Sequence, residues 1–273
     1  MNEIQSPTTI REQIQFNCSN YGDRSWLISP ETSHSVSFRE VEETVLKIGQ
    51  TLLDSGIKPG SSIAIASPNS TASCLMFMAI VSAGFVAVPL NLVAGASILA
   101  YTIDHAEVQL IFVAEECREL INLAIKDKKN EINTVLLDPI TGPDLNAIPK
   151  ADNKLSIKDK SPASNDVALL MYTSGTTGKP KGVMLTHANL LAAGRFISTG
   201  HEINEKDKGL CVLPIYHING LCVTVMGTIA SASTLIIPNK FSVNSFWKII
   251  SDFRCSWFSA VPTQFSYILN NEE

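Results

Sequence analysis

The stretch YTSGTTGKPKG, residues 172–182, combines three glycines, four serine or threonine hydroxyls and two lysines. Glycines let a backbone turn sharply and present its N–H groups to an anion. Hydroxyl groups add hydrogen-bond donors, and lysines add positive charge that suits phosphate oxygens. An apolar segment, VALLMY at 167–172, leads directly into the stretch, so the loop is expected to follow a buried strand. The chemistry that this pattern indicates is phosphate binding.

The spacing of the glycines excludes one well-known phosphate loop. A Walker A loop requires four residues between its glycines and a serine or threonine after its lysine. Here only two residues separate Gly175 from Gly178, and Pro180 follows Lys179. On composition alone, two interpretations stay open: a phosphate-binding loop of another kind, or a structural turn.

Histidine is the second residue type that could do chemistry here. The five histidines are spread singly along the chain, a distribution that predicts no metal-binding cluster. His217 follows the segment LPIY and is a candidate, although by itself it could equally be a polar loop residue or a hydrogen-bonded core imidazole. His187 is predicted to begin the helix after the glycine-rich stretch rather than to take part in catalysis.

The elements that must position these residues alternate between strand and helix. Ser37 and Glu40 have capping-box spacing, and the apolar residues that follow recur at helical intervals. Short apolar strands then alternate with helices, which predicts an α/β fold with parallel sheets covered on both faces. In the helix predicted near residue 245, Phe246 and Trp247 are expected to pack inward.

The composition changes between residues 139 and 166, where Pro, Asn, Asp, Lys and Ser dominate without periodicity. This segment is predicted to be a polar connector. It divides the chain into a first α/β subdomain at 1–138 and a second at 167–273, which carries the candidate phosphate loop. The alternative that the two sheets share strands from both sides of the connector stays open.

A stretch without any charged residue runs from Pro59 to Ile103 and contains a long apolar run, CLMFMAIVSAGFVAVPL. Its length approaches that of a membrane span. Gly84 and Pro89 interrupt it, however, and the residues between them are typical of a strand. A buried helix followed by a buried strand is therefore predicted, and no membrane span.

The bulk properties of the 273-residue chain narrow its class. Its formal net charge is −5, which gives no reason to expect nucleic acid as a partner. The six cysteines are scattered, without a C-x-x-C pair, and the N-terminus lacks the pattern of a secretory signal. Reduced thiols and a cytoplasmic location are expected.

The longer string YTSGTTGKPKGVMLTHANL resembles the signature of adenylate-forming enzymes, which include acyl-CoA synthetases and the adenylation domains of peptide synthetases. The family pattern is S-G-T-T-G, a variable residue, P-K-G, an apolar stretch and T/S-H-x-N, and every part is present between Ser174 and Asn189. The segments LPIYHINGL and WFSAVPTQF are also similar to family motifs, as is the strand that ends in Pro68 and Asn69. One departure is Ser61, where the family usually has Asp.

This resemblance implies a site. The loop would hold the β- and γ-phosphates of ATP, and Lys181 would match the family lysine, whereas Lys179 occupies the variable position. His217 would lie between the acid pocket and the nucleotide, where it would act in catalysis by orienting the substrate carboxylate. The implied ATP-binding residues are Thr173, Ser174, Gly175, Thr176, Thr177, Gly178 and Lys181.

The resemblance also implies a fold and a reaction. The fold would be the two sheet-and-helix subdomains of the family's large N-terminal domain, without the C-terminal part. The enzyme would be an AMP-forming ligase that activates a carboxylic acid with ATP to an acyl-adenylate and transfers the acyl group to CoA. Mg²⁺ would assist, and its main ligand is expected outside this chain.

Several later family motifs are missing from residues 1–273, so the chain by itself is expected to be inactive. Three alternatives stay open. The chain could be a naturally short, non-catalytic module that binds nucleotide or acyl groups. It could be half of a split enzyme. It could also be part of an adenylation domain that loads a carrier-protein thiol rather than CoA.

Overall fold

The computed structural model describes residues 6–128, 132–151, 155–158, 161–173 and 179–270. The helices are α1 Ile10–Tyr21, α2 Phe38–Asp54, α3 Thr71–Ser82, α4 Ala96–His105, α5 Arg118–Ile125, α6 His187–Gly200, α7 Met226–Ser231, α8 Val243–Phe253 and α9 Pro262–Leu269. The strands are β1 Ser25–Ile28, β2 Ser35–Ser37, β3 Ser62–Ala66, β4 Val86–Pro89, β5 Leu110–Val113, β6 Asn133–Asp138, β7 Gly142–Pro143, β8 Val167–Thr173, β9 Lys181–Thr186, β10 Lys208–Cys211, β11 Thr234–Ile236 and β12 Trp257–Ser259. The predicted alternation of strands and helices is confirmed.

The larger of the two sheets has seven strands in the order β7-β6-β5-β3-β4-β8-β9. Its five central strands run parallel, and each edge is closed by an antiparallel strand, β7 at one end and β9 at the other. In a parallel sheet of this kind the carboxyl ends of all the parallel strands lie along one edge. The loops after β3, β4, β5 and β8 therefore share that edge.

The smaller sheet has five strands in the order β12-β10-β11-β1-β2, and only β2 is antiparallel to its neighbour. Each sheet takes strands from both sides of the segment at 139–166. Strands β1 and β2 join the later strands of the small sheet, and β8 and β9 join the earlier strands of the large sheet. The alternative of shared strands is thus what the structure shows, and the segment at 139–166 does not separate the two sheets.

The helices and sheets form five layers. Helices α4 and α5 cover the outer face of the large sheet, and α8 and α9 cover the outer face of the small sheet. Between the sheets lies the largest apolar cluster, built by α1, α2, α3, α6, α7 and the inner faces of both sheets. This shared core holds the two sheets together, because apolar residues of both are buried against the same helices.

Capping explains where several of the helices begin. The Ser37–Glu40 capping box is present at the start of α2, as the sequence predicts. Helices α1, α3 and α6 begin with the same arrangement, in which a side chain at the N-cap and one at N3 each accept a backbone N–H. These local bonds satisfy N–H groups that the first helical turn leaves free.

Three predictions about buried residues have different outcomes. The apolar run forms a buried helix, Thr71–Ser82, and then a buried strand, Val86–Pro89, as predicted. Within the described ranges no helix is long and apolar enough to cross a membrane. The segment at 139–166 is not entirely polar, since Ile148 and Ile157 are buried in the core. The prediction for Trp247 is wrong: Phe246 is buried on the face of α8 that covers the small sheet, whereas Trp247, about 100° around the helix, is 61% exposed.

Candidate functional site

Strands β8 and β9 form an antiparallel hairpin, here called the phosphate hairpin, whose last pair is Thr173 with Lys181. Both residues are exposed at the end of the hairpin. The remaining predicted phosphate-binding residues lie outside the described part of the chain: Ser174, Gly175, Thr176, Thr177 and Gly178. The structure therefore places the two flanking residues of the predicted loop directly opposite each other.

Gly182, the glycine of the P-K-G motif, lies opposite Tyr172 in this hairpin. A Cβ atom at position 182 would lie 2.9 Å from the Leu170 Cδ1 atom and 3.2 Å from the Tyr172 Cζ atom. Both of these neighbours are side-chain atoms, so a small residue at position 182 would require them to shift. The absence of a side chain at Gly182 gives the Tyr172 ring room across the pair.

The Tyr172 side chain anchors the hairpin to helix α4. Its hydroxyl lies 2.7 Å from the Nδ1 atom of His105, and the His105 ring also contacts the ring of Tyr101 with their centroids 5.4 Å apart. Partial burial is the main reason that the pKa of Tyr172 is raised to about 12, and the nearby Tyr101 side chain contributes to a smaller extent. The Lys179 ammonium lies 5.7 Å from the centre of the Tyr101 ring, a cation–π distance.

The second predicted site residue, His217, follows strand β10 in the small sheet. Residues 212–219 form the segment that carries it, here called the histidine loop. The His217 backbone N–H donates to the Pro214 carbonyl at 3.0 Å, and the His217 carbonyl accepts from the Leu221 N–H at 3.0 Å. A π-helix, Asn219–Val225, begins at the end of the loop, and such irregular helices are frequent at functional sites.

Gly220 is the glycine of the L-P-x-x-H-x-x-G motif, and its close backbone contacts explain why this position needs a glycine. A Cβ atom at this position would lie 2.3 Å from the Pro214 carbonyl oxygen and 2.8 Å from the Leu213 carbonyl oxygen. Both of these neighbours are backbone atoms, which cannot rotate away as a side chain can. The backbone of the histidine loop therefore folds back against its own beginning, and only glycine permits this approach.

Three side chains from distant parts of the sequence hold the histidine loop. The Asn69 amide donates to the Leu213 carbonyl at 3.0 Å and accepts from the Ile215 N–H at 2.9 Å. The Gln264 amide donates to the Val212 carbonyl at 2.9 Å. The Ser259 hydroxyl is 2.7 Å from the Asn219 side-chain oxygen. Asn69 follows β3 of the large sheet, so its bonds join the carboxyl ends of the two sheets.

This junction brings the two predicted parts of the site to one edge of the molecule. The phosphate hairpin leaves the large sheet at the carboxyl end of β8, and Asn69 leaves the same edge at the end of β3. One strand, β4, separates β3 from β8, so the two positions are about 10 Å apart at the spacing of neighbouring strands. Ligands of open α/β sheets bind at this edge.

The electrostatic surroundings of the histidine loop favour uncharged side chains. The His217 ring is exposed on one side and packs against the Tyr216 ring, with centroids 4.8 Å apart. Removal of water from part of its surface lowers the pKa of His217, so the neutral imidazole is favoured at pH 7. Burial likewise raises the pKa of Tyr216. A neutral His217 can donate or accept hydrogen bonds without adding charge.

A cleft of about 590 Å³ opens beside the histidine loop where the two sheets meet. Its walls include Asn69, Pro214 and Tyr216, together with Glu116 and Lys240. The cleft is large enough for a small organic molecule. Across the described residues, no group of three or more His, Cys, Asp or Glu side chains is arranged to hold a metal ion.

His187 is the first residue of α6, in agreement with the sequence-based prediction, but it is also 1% exposed. Its Nδ1 atom accepts from the Ile10 N–H at 3.2 Å, so the N-terminal helix packs against the end of the hairpin region. Desolvation is the main reason that its pKa is lowered to about 4. The next residue, Arg11, donates from Nε to the Ser82 carbonyl at 2.7 Å and from Nη1 to the Ile157 carbonyl at 2.6 Å.

Sequence reasoning missed the residues that hold the site together. Asn69, Gln264 and the His105–Tyr172 contact were assigned no role. One feature of the sequence could have indicated a role for Asn69: it follows a proline shortly after a buried strand, where a polar side chain would reach the sheet edge. No such feature marks Gln264 or His105, because nothing in their local sequence shows which distant segment they contact.

Comparison with known proteins identifies related sequences over nearly the whole chain. The family model described as AMP-binding enzyme matches residues 14–273. Sulfoacetate–CoA ligase of Cupriavidus necator is 30% identical over 265 residues, which is 96% of this chain and 51% of the relative. Oxalate–CoA ligase of Arabidopsis thaliana is 31% identical over 223 residues, 80% of this chain and 43% of the relative. The chain therefore spans about half the length of the curated relatives it matches.

Solved structures show the same fold. ATP-bound MatB from Rhodopseudomonas palustris superimposes with a TM-score of 0.82 at 23% identity, over 97% of this chain and 51% of that one. The inhibitor-bound N-terminal domain of FACL13 from Mycobacterium tuberculosis superimposes with a TM-score of 0.83 at 22% identity, over 96% of this chain and 65% of that one. The expected α/β fold is thus confirmed.

Proposed function

We propose that this chain, which belongs to the AMP-binding enzyme family, is the part of an AMP-forming acid–CoA ligase that holds the phosphates of ATP and orients the acid. The observation that carries the proposal is the placement of the phosphate hairpin and the histidine loop on one edge of the fold. This placement supports a common site for two motifs that lie more than 30 residues apart in the sequence.

The proposed reaction has two steps. A carboxylate oxygen of the acid bonds to the α-phosphorus of ATP, and the bond from that phosphorus to the bridging oxygen breaks to release pyrophosphate. The sulfur of CoA then bonds to the acyl carbon, AMP leaves, and the thiol proton passes to solvent. Mg²⁺ would neutralise charge on the leaving pyrophosphate. The described residues offer no cluster of ligands for this ion.

The roles of this chain's own residues follow from their positions. Lys181, exposed at the end of the hairpin, would hold the β- and γ-phosphates together with Thr173 and the residues between them, Ser174 to Gly178. His217 would orient the carboxylate as a neutral hydrogen-bonding group. It need not act as a base, because a carboxylic acid is already ionised at pH 7. Correct placement of the reacting oxygen is the main contribution that such a group can make.

The class of acid is proposed from the relatives. Two of the matched ligases are named for sulfoacetate and oxalate, both small acids that carry a second anionic group. A small acid with a second polar group is therefore proposed for this protein.

The six cysteines are free thiols, which supports a reducing compartment such as the cytoplasm.

The binding part of the proposal can be tested on the 273-residue chain itself. Titration calorimetry with ATP is expected to show binding that Lys181→Ala weakens by about tenfold or more, since a hydrogen bond between charged groups contributes about 1.5–3 kcal/mol. Lys179→Ala is the matched control, because Lys179 lies two residues earlier and points toward the Tyr101 ring. Equal binding by the Lys181 variant and the parent would exclude the assigned phosphate site.

The activity is tested by ATP–pyrophosphate exchange with a panel of small carboxylic acids. Exchange that depends on both the acid and Lys181 would support the ligase. The chain by itself is expected to give no exchange. Strong exchange by the chain alone would show that the later family motifs are dispensable. ATP binding without exchange in any longer form of the protein would favour the non-catalytic module instead.

A further inference from the structure

Asn69 has an unusual position among the buried polar residues. It is 6% exposed and lies between strand β3 of the large sheet and the Ser70 N-cap of helix α3. Its side chain makes no bond within its own sheet among the described contacts. Instead, it points across to the small sheet and bonds to a segment about 145 residues later in the chain.

The two hydrogen bonds of Asn69 use the oxygen and the nitrogen of its side-chain amide. Its oxygen accepts the Ile215 N–H and its nitrogen donates to the Leu213 carbonyl, so the side chain pairs with the backbone as a neighbouring strand would. The nitrogen also lies 3.8 Å from the Cys211 sulfur. Loss of the amide would leave the buried Ile215 N–H unpaired, which costs about 1–3 kcal/mol. The Leu213 carbonyl would keep one partner, the Cys211 thiol at 3.3 Å.

We propose that Asn69 is a positioning residue for His217: it fixes the backbone two residues before the histidine and thereby sets where the imidazole lies relative to the edge of the large sheet. The inference rests on the proposed function, in which His217 orients the acid. It gives Asn69 a role in the reaction through His217, without contact between Asn69 and the substrate.

Neighbouring contacts limit how the loop can respond. Gln264 fixes Val212 at the start of the loop, and Gly220 packs against Pro214 at its end. Between these two points, the Ile215 N–H is held by Asn69, and the Leu213 carbonyl accepts from both Asn69 and the Cys211 thiol. When the amide is removed, these residues are free to shift and the His217 ring, which they carry, moves with them. A shift of about 1 Å in a positioning group can reduce a reaction rate by up to about 10²-fold.

A purely structural role for Asn69 is the competing explanation, and Asn17 provides the matched control. Asn17 is also a fully buried asparagine, and its Nδ2 donates to the Ile229 carbonyl at 2.7 Å, joining α1 to α7 across the core. Asn17→Ala removes the same kind of bond at a place remote from His217. Both variants are expected to lose stability, so stability alone does not distinguish the two roles.

The decisive measurement is the pKa of the His217 imidazole, followed by NMR in the 273-residue chain and assigned with His217→Gln. Asn69→Ala is expected to raise this pKa toward the ordinary histidine value, because a released loop exposes the ring to water. Asn69→Asp, which keeps an acceptor for the Ile215 N–H, is expected to shift it less and serves if Asn69→Ala does not fold. Asn17→Ala is expected to leave it unchanged.

Exchange kinetics give the second readout. In a form of the protein that catalyses exchange, Asn69→Ala is expected to raise the KM of the acid about tenfold while the KM of ATP changes less than about twofold. The positioning role is overturned if the Asn69 variants leave the pKa of His217 at the parent value, or if Asn17→Ala shifts it equally. A shifted pKa without acid-dependent exchange in any form of the protein would instead overturn the proposed function and leave the positioning role standing.

Discussion

The phosphate hairpin and the histidine loop lie on the same edge of the fold, yet they are held in place in different ways. The hairpin is made of two strands that follow each other in the sequence, and each of its pairs joins residues fewer than 20 positions apart. The histidine loop, by contrast, is held by Asn69, Gln264 and Ser259, which lie between 40 and 146 positions away.

This difference shows how a site can combine two kinds of support. A hairpin forms from local pairing, and here it places Thr173 and Lys181, which flank the predicted phosphate loop, opposite each other. The histidine loop has little secondary structure of its own, so its position depends on the two sheets being assembled first. We therefore expect substitutions in the hairpin to act locally and substitutions around the loop to affect the junction between the sheets.

The largest expected effect is a loss of stability in acid, caused by the buried imidazole of His187. His187 follows the hairpin, and its pKa is about 4 in the folded protein against 6.5 ordinarily. Between these values the unfolded chain binds the additional proton, so stability falls as pH falls from 6.5 to 4. The loss is on the order of 3 kcal/mol.

Urea unfolding at a series of pH values measures this effect. His187→Gln keeps an acceptor for the Ile10 N–H but does not titrate, and its stability is expected to fall less over the same range. His201→Gln, at the exposed end of the same helix, should behave as the parent does. Parallel pH curves for the parent and His187→Gln would show that His187 is not responsible.

The second prediction compares the two motif glycines. Gly220→Ala is expected to destabilise the protein by about 2–3 kcal/mol, because its new Cβ meets backbone atoms of the histidine loop. Gly182→Ala is expected to stay within about 1 kcal/mol of the parent, since its nearest neighbours are side-chain atoms that can rotate. Thermal or urea unfolding of both variants tests the contrast, and equal losses would remove the distinction between the two regions.

The smallest effect is expected at the contact between the hairpin and α4. Tyr172→Phe removes the hydroxyl that lies 2.7 Å from His105, at a cost of about 1 kcal/mol or less for a partly exposed bond. His105→Ala should cost a similar amount, and the double variant should cost less than the sum of the two. Additive losses in urea unfolding would mean that this contact contributes nothing to stability.

The sequence predicted most of the elements after residue 36, because their signals are local. The Ser37–Glu40 capping box, the apolar periodicity of α2 and the alternation of short buried strands depend on neighbours within a few positions. The phosphate-loop motif is local for the same reason. No element was predicted for residues 6–36. The sequence also did not show that only one face of α8 is covered, which buries Phe246 and leaves Trp247 exposed.

By itself, the sequence determined the type of each element, the candidate loop and the candidate histidine, since a spacing of three, four or two residues records bonds and faces within one element. Only the tertiary structure decided which strands share a sheet, that both motifs meet at one edge, and that Asn69 holds the loop carrying His217. The physical reason is distance along the chain. No residue spacing in either segment predicts the hydrogen bond between residues 69 and 215. The bond forms only when the shared core has brought the two sheets together.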